Sequence, residues 1–580
     1  MQPTSTMYAL LGMLGLSLPQ WQCTPGNAGP VVDIEAYMAN KPAIGCGIGV
    51  WYNVEEELPN AMPVLPGWGR FAWPISTRHD SAQFYFNQGI SMYYSFHMIE
   101  AKGSFRKATW FDPDCTMAWW GLAMAYGVNY NYAMPKNAPQ AMEAMAKALA
   151  TAPNKPPLEQ ALAATLPARY NADTTITRQQ QNEDYANAIE QVYLQHTHNA
   201  NLTALLADAL MVQHPWDLYD IAGNPKPWTP RIVALLEKGL ASHPKHPSLN
   251  HLYIHAVEAA NNAEKGLPSA QRLSTMMPMV SHMVHMPSHI YIRTGRYQQG
   301  MAVNNASLTG YNKYYQLYSP VVNDAFLYQL HNLHMKAACA LYLANESEAR
   351  QQALALQAEV PKEYMEPAGG AANYMQYMYA TPLFAKIRYG QWQSIMDDSL
   401  INGNWNYARA VQYFAKGMAS SRLNNAAQAA EWLQKLEYIS KHPSFEEPFE
   451  SINIASKSIS VMVHLLQGTL AQANGQAAIA GQHFEAAVAA EDNFTYNEPR
   501  DWLLPTRHYL GQHLLQTNQP GKAIATFNMD LVINPENVWG LTGLQQAYTG
   551  IGNTKMSQQT TRRLRKALNN SSVLPTGAIY

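Results

Sequence analysis

Two stretches of this chain carry imidazoles at spacings of three and four residues. They read His251-Leu-Tyr-Ile-His255-Ala-Val-Glu258 and His282-Met-Val-His285-Met-Pro-Ser-His289. His251 and His285 are 34 residues apart, and so are His255 and His289. That distance is the period of a helix–turn–helix repeat. Imidazoles at i and i+4 share a helix face and can reach one metal ion. A repeat also sets equivalent positions of successive helices side by side, so histidines at those positions converge.

The register follows from a small residue in each second helix: Gly266 (then Ala270 and Leu273), Gly300, and Ala349 (then Ala353 and Leu356). Counting back 15 residues from these gives His251, His285 and His334. Counting back 18 from the second and third gives His282 and His331, and counting back 11 from the first two gives His255 and His289. Counting back 8 from the first gives Glu258. These offsets step by three or four residues and trace one stripe along the first helix of each hairpin. Eight ligating side chains exceed one tetrahedral site. They suit a dinuclear centre, or one ion with supporting and catalytic groups. Imidazole-rich ligation suits copper, zinc, iron or nickel better than magnesium or calcium. Met276, Met277, Met279, Met283 and Met286 surround the second segment, and soft thioethers favour copper, with iron and zinc as alternatives. Glu258 is the candidate general base or a further ligand, and Tyr253 and Tyr291 are expected to shape the pocket.

Other candidates stand outside this rule. His97 and Glu100 lie at i and i+3 near the end of a first helix, ahead of Ala101 and Phe105, and Asp208 lies on a helix one unit before His251. Asn129 and Asn131 can add polar lining. His196 and His198 point to opposite sides of a helix and read as surface, while His442, His464, His483, His508 and His513 share no offset and read as structural. The rival to a metal is a hydrogen-bonded network of His, Asn and Tyr, with Asn250, Asn332 and Tyr291 beside the stripe, that binds a peptide or an anion. The chain has no HExxH, no GxSxG and no glycine-rich phosphate loop, so these nucleophile and nucleotide chemistries do not compete.

The elements that must position this stripe are helical. Residues 1–75 are rich in Gly and Pro and read as an irregular extension. From about residue 80 the chain repeats one pattern, first as Gly89…Ala101-x3-Phe105-x2-Ala108…Pro113. It returns as Gly468…Ala480-x3-Phe484-x2-Ala487 and as Leu510-Gly511…Ala523-x3-Phe527…Pro535, with a weaker copy at Gly417, Ala429 and Leu433. Small residues at these intervals let the two helices of a hairpin approach closely, and Pro stops the second. The pattern resembles the tetratricopeptide repeat (TPR). Strand signals are sparse, so the expected fold is all-α, an α-solenoid of tetratricopeptide-like hairpins. Its expected parts are the extension (1–75), N-terminal repeats with an aromatic loop near 214–230 (76–247), the histidine-rich repeats (248–390) and C-terminal repeats (391–580). In tetratricopeptide proteins the first helices line a concave groove, so the resemblance implies that the histidine stripe faces that groove.

The motifs His255-Ala-Val-Glu258 and His285-Met-Pro-Ser-His289-Ile, preceded by Pro215-Trp216-Asp217, are similar to those of a bacterial family of large tetratricopeptide proteins. Phe96-His97, Asp112-Pro-Asp-Cys115 and Trp119-Trp-Gly121 fit the same pattern. The match spans roughly residues 80–340. The family would place Glu where this chain has Asp208, and the resemblance implies no reaction.

Composition bounds the rest. Of 580 residues 47% are hydrophobic, which is enough for a large interior, and only 14% are charged, against about 25% in an average chain. A net charge of −2 supplies no basic field for nucleic acid. No run of 18 apolar residues marks a transmembrane helix. Four cysteines without a CxxC argue against thiolate zinc and c-type haem, and Cys23 and Cys46 can pair. Tyr8–Pro19 has the length of a signal h-region but no preceding Lys or Arg. Low charge and abundant Asn and Gln favour a periplasmic or secreted protein over a cytoplasmic one. The expected function is a metal-binding solenoid acting as a redox metalloenzyme on a small molecule or peptide in its groove. The alternative is a non-catalytic scaffold that holds a peptide or protein partner there.

Overall fold

The computed structural model describes residues 61–580 apart from 132–137, 174, 319–320, 367–368, 402, 450–451 and 570. The signal-like start and the Cys23–Cys46 pairing lie outside the described residues. Everything described belongs to one unit, Ile34–Tyr580. The N-terminal helices are α1 (Asp80–Tyr93), α2 (Met98–Phe111), α3 (Thr116–Ala125), α4 (Pro139–Thr151), α5 (Pro157–Arg169), α6 (Arg178–Gln195), α7 (Ala200–Val212) and α8 (Thr229–Ser242). The histidine region follows with α9 (Pro247–Val257), α10 (Leu267–Met276), α11 (Ser281–His285), α12 (Pro287–Arg293), α13 (Tyr297–Leu317), α14 (Val322–Tyr342) and α15 (Glu346–Glu359). Then come α16 (Gly370–Tyr379), α17 (Thr381–Arg388), α18 (Trp392–Asp397), α19 (Asn406–Arg422) and α20 (Ala426–Ile439). The C-terminal helices are α21 (Ala455–Ala473), α22 (Ala477–Asp492), α23 (Thr506–Gln516), α24 (Pro520–Ile533), α25 (Val538–Gly550) and α26 (Thr554–Leu568). Among the described residues the only strands are the two-residue pair Pro448–Phe449 and Asn453–Ile454.

Each helix packs on the next, and alternate helices touch as well, as α19 with α21, α21 with α23 and α23 with α25. This is the all-α solenoid of tetratricopeptide-like hairpins expected from the sequence. The chain's Asn content serves it directly. Asn199, Asn345, Asn425, Asn537 and Asn553 cap helix N-termini with their side chains, accepting from otherwise orphaned amides. The turn inside a hairpin passes through a left-handed residue, as at Asn424, Gly475, Asn518 and Gly552. Interhelical spacing is set by glycines against one phenylalanine. A Cβ at Gly89 or Gly121 would come within 2.8 or 2.4 Å of Phe105, and one at Gly511 or Gly543 within 2.4 or 2.2 Å of Phe527.

Both ends of the described chain fold over the middle. The irregular stretch after residue 61 straps across α1, α2 and α13: Leu65 N–H donates to Gln88 Oε1 at 2.9 Å, and Tyr314 hydroxyl donates to the Pro66 carbonyl at 2.9 Å. From the C-terminal side, Trp539 Nε1–H reaches the Leu341 carbonyl at 2.7 Å, Tyr297 hydroxyl the Pro535 carbonyl at 2.8 Å, and Tyr377 hydroxyl the Arg500 carbonyl at 2.7 Å. The expected open groove is therefore filled where the histidines lie. His251, His282, His285, His289 and His334 are 0% exposed, His255 is 2% and His331 is 6%.

Candidate metal centre

Helix α9 begins where His246 accepts from Leu249 N–H and Pro247 opens the first turn, and it presents His251 and His255. The next first helix is split. Helix α11 carries His282 and His285, Pro287 opens α12, and His289 follows. Met286 keeps helical angles at the junction (φ −46°, ψ −39°), so Pro287 does not break the alignment. Helix α14 carries His331 and His334.

The structure sorts six of these histidines into two trios, His251/His255/His282 and His285/His289/His331, each offering nitrogens within 4.8 Å of one another. The trios obey one rule. Each takes the offset-15 and offset-11 histidines of one unit and the offset-18 histidine of the next. The trios adjoin one another: ring centroids of His282 and His285 are 6.1 Å apart, and those of His255 and His289 are 5.9 Å apart. The pattern stops where its residues run out. Offset 11 of the third unit is Ala338, and offset 18 of the first is Ser248. His334 therefore lies apart from both trios. Its ring packs on Tyr377 at 4.8 Å, and neither ring nitrogen has a partner among the described residues.

Outer partners set the tautomers. His251 Nδ1 faces the Tyr94 carbonyl at 2.7 Å. His285 Nδ1 faces Asn304 Oδ1 at 2.6 Å, and Asn304 is oriented by donating Nδ2–H to the Gly300 carbonyl at 2.8 Å. His255 Nδ1 lies 3.0 Å from Glu258 Oε1, and His289 Nδ1 lies 2.6 Å from Glu258 Oε2 and 2.8 Å from Glu498 Oε1. Carbonyl and amide oxygens only accept, so the facing Nδ1 of His251 and His285 must carry the proton. Carboxylate oxygens of Glu258 and Glu498 stand in the same accepting position opposite Nδ1 of His255 and His289. All four then aim an Nε2 lone pair inward. Two such lone pairs, on His285 and His289, face each other at 2.7 Å. His331 Nε2 lies 3.1 Å from His285 Nε2, and His251 Nε2 lies 3.0 Å from His282 Nε2. His255 Nε2 and His282 Nδ1 have no partner among the described residues.

Burial, reinforced by neighbouring imidazoles, holds His251, His282, His285 and His331 well below their ordinary pKa. His255 falls to about 3 for the same two reasons, and His334 to about 3 through burial alone. Burial raises the Glu258 carboxyl, opposed by His289. Six of the seven imidazoles of the stripe are thus held toward the neutral form, the one that binds metal.

Glu258 sits on the outer nitrogens and joins the two trios from behind. In the third cluster, His255, Glu258 and His289, its oxygens are already taken by Nδ1 hydrogen bonds. His97 and Glu100 form a buried pair at 2.7 Å, and His97 Nε2 accepts from the His282 backbone N–H at 3.3 Å. This pair holds the start of α11 and lies outside the trios. Asp208 lies outside them too. Burial raises its pKa to about 6, with Arg169 opposing. Tyr253 hydroxyl donates to Glu237 at 2.8 Å, and Asn250 binds the Pro244 and His246 carbonyls, so neither faces the site. Met277 Sδ faces Ser95 and Met279 packs on Gly67, so these two thioethers serve packing.

The walls are Phe96, Tyr130, Trp216 and Tyr328. Phe96 lies 4.5 Å from the His251 ring, Tyr130 and Trp216 lie 5.3 and 5.5 Å from His255, and Tyr328 lies 5.2 Å from His282. Phe96 and Trp216 both have φ near +58°, a left-handed backbone that costs a non-glycine residue about 1–2 kcal/mol. The Pro215-Trp216-Asp217 and Phe96-His97 motifs thus mark wall residues. Glu498 and Asn304 gave no signal in the sequence, since Glu498 is 209 residues from His289 and neither belongs to the stripe.

No family model and no curated protein matches the chain, so the closer resemblance rests on its motifs alone. Among solved structures, the chain superposes on a human IFIT1 dimer with m7Gppp-AAAA at a TM-score of 0.28 and 13% identity, covering 86% of this chain and 92% of that one. It superposes on the APC/C hetero-tetramer Cut9–Hcn1 at 0.25 and 14% identity, covering 85% and 96%. Against Naa15/Naa10 bound to HypK-THB the TM-score is 0.21 and the identity 12%, covering 84% and 70%. Superpositions this loose transfer no ligand or partner.

Proposed function

We propose that this protein is a metalloprotein holding two transition-metal ions, one in each histidine trio, and that it acts as a redox enzyme on copper or iron. The observation that carries the proposal is the outward anchoring of four Nδ1 nitrogens, which turns the Nε2 lone pairs on one another. Metal–imidazole bonds of about 2.0–2.1 Å place two tetrahedral ligand nitrogens about 3.3 Å apart. The three shortest inner contacts, 2.7–3.1 Å, need to open by only a few tenths of an ångström, and the remaining nitrogens of each trio, within 4.8 Å, to draw in, for an ion to enter. Unpartnered buried nitrogens cost about 1–3 kcal/mol each, and an ion would relieve that cost at His255 and His282. Donation of Nδ1–H to carbonyl or carboxylate is also the usual support of a metal-bound imidazole.

The donor set is nitrogen-rich and lacks thiolate, since Cys115 and Cys339 belong to neither trio. That suits copper, iron or zinc. Glu258 acts as an orienting carboxylate behind both trios, because its oxygens are engaged there. Enclosure of the stripe favours an ion over a peptide lying along it, which weighs against the scaffold reading.

The test is elemental analysis of protein purified without a metal-affinity step. We expect about two ions per chain, with His255→Ala emptying one trio and His285→Ala the other. Protein that is metal-free as isolated and takes up no copper, iron or zinc would overturn the proposal.

A further inference from the structure

The histidines are buried, but one of them meets a way out. A small cavity of about 20 Å³ touches His255, Glu258, Tyr130, Trp216, Tyr219 and Tyr496. That is room for about one water molecule. It shares Asp220, Ala259 and Tyr496 with a cleft of about 860 Å³. The cleft therefore leads, past Tyr496, toward the His255 nitrogen that lacks a partner.

The cleft contains three arginines and four carboxylates, and most of these charges are already engaged. Asp492 holds Arg507 through two contacts of 2.7 Å. Asp530 accepts from Asn534 and Asn537 and pairs with His508. Glu491 accepts from the Thr506 N–H and hydroxyl, and Asp220 from Asn224. Two guanidinium groups remain. Arg293 donates Nη2–H to the Ala260 carbonyl at 2.9 Å and lies 5.2 Å over the Tyr496 ring, but its Nε has no partner. Arg500 makes no hydrogen bond or ion pair with its side chain among the described residues. The repulsion between these two cations lowers the pKa of Arg293, after burial.

We infer that this cleft is the entrance to the metal centre, and that Arg293 and Arg500 bind the oxyanion group of an acidic small-molecule substrate. Glu498 lies within electrostatic reach of Arg293, and Glu491 within reach of Arg500. Among the described residues neither carboxylate makes an ion pair with these guanidinium groups, so the Arg293 Nε–H and the Arg500 fork keep donors for an anion. The planar guanidinium fork matches a carboxylate or a phosphate by paired N–H donors. With its acidic end held there, such a molecule lies along Tyr496 and points its other end at the trio of His251, His255 and His282. The water-sized neck admits only a small reacting group unless Tyr496 and Tyr219 swing aside. The inference rests on the metal reading for its chemistry, but the anion site can be tested without it.

The test titrates inorganic phosphate, acetate and succinate into metal-free full-length protein, followed by calorimetry, and then into cobalt-loaded protein, followed by the cobalt absorption spectrum. Wild-type protein is expected to bind at least one probe, and Arg500→Gln to bind it at least about tenfold more weakly. Because the Arg500 side chain makes no hydrogen bond or ion pair among the described residues, and its carbonyl contact with Tyr377 survives substitution, that variant should keep its metal content and thermal midpoint. A preference for phosphate over the two carboxylates identifies the anion class. A spectral change on anion binding places the anion beside the metal. Equal binding by wild type and Arg500→Gln overturns the inference, as does the absence of binding by all three probes. Anion binding to a protein that never holds metal would instead overturn the metal reading and leave the anion site standing.

Discussion

At the scale of single residues, the centre depends on which ring nitrogen faces outward. Glu258 supports His255 and His289 at once, from opposite trios. Glu258→Gln keeps the shape but lets the amide nitrogen turn toward an imidazole N–H. Loss of such a supporting carboxylate costs about 10–100-fold in metal affinity, which a competition titration against a chromophoric chelator will show. Unchanged affinity would mean that Glu258 does not orient the rings. His334→Ala gives the opposite expectation. That ring touches Tyr377 and belongs to neither trio, so the variant should retain the full metal content, and loss of an ion would put His334 back among the ligands. Phe96 marks a further contrast. It sits in a left-handed turn, as Asn424, Gly475 and Asn518 do in later hairpins, but its ring lies over His251. A residue that accepts this backbone cost to place an aromatic wall is a candidate for shielding the imidazoles from water.

At the scale of helices, the repeat is held by interlocking glycine and phenylalanine. Phe527 is fully buried between Gly511 and Gly543, as Phe105 is between Gly89 and Gly121. Phe527→Ala should destabilise the C-terminal repeats by about 3–5 kcal/mol. Gly543→Val, which forces a side chain into a gap with a 2.2 Å closest approach, should cost about 1–3 kcal/mol or more. Chemical denaturation followed by far-UV circular dichroism tests both, and near-wild-type midpoints would show that these contacts are loose. This level was the most legible in the sequence, because Gly, Ala, Phe and Pro at fixed intervals report contacts within one hairpin or between neighbours. The histidine register was legible for the same reason, as repeat neighbours inherit their alignment from the repeat itself.

At the scale of the whole molecule, closure of the solenoid makes the stripe an interior. The segment around Glu498 packs on the stripe at His289, the imidazoles are buried, and this sets a pH dependence. Burial keeps His251, His282, His285 and His331 well below 6.5, and His255 at about 3. Unfolded chains take up protons on these rings near pH 6.5, whereas the folded chain does not. The unfolded state then binds more protons, so stability is full above about pH 6.5 and falls as pH drops, by about 1.4 kcal/mol per pH unit for each histidine. Glu258, raised by burial, opposes this over a window above 4.5, but one carboxyl faces five imidazoles. Denaturation midpoints of metal-free protein should therefore be much lower at pH 5.5 than at pH 7.5. A flat profile would mean that the folded rings already carry protons. Bound metal should raise the midpoint at pH 7.5 through its affinity for the folded state.

The sequence by itself determined the helices, their hairpin pairing and the stripe of histidines, because each follows from spacings within or between adjacent repeats. It also placed His334 on that stripe, where offsets alone could not show that Ala338 leaves the third unit without the second imidazole of a trio. Tertiary structure decided the rest. It divided the stripe into two trios, moved Glu258 to the outer nitrogens, brought Glu498 and Asn304 against His289 and His285, and closed the groove into a buried chamber. Those contacts join residues up to 209 positions apart, and they depend on how the whole superhelix curls, which local periodicity does not encode.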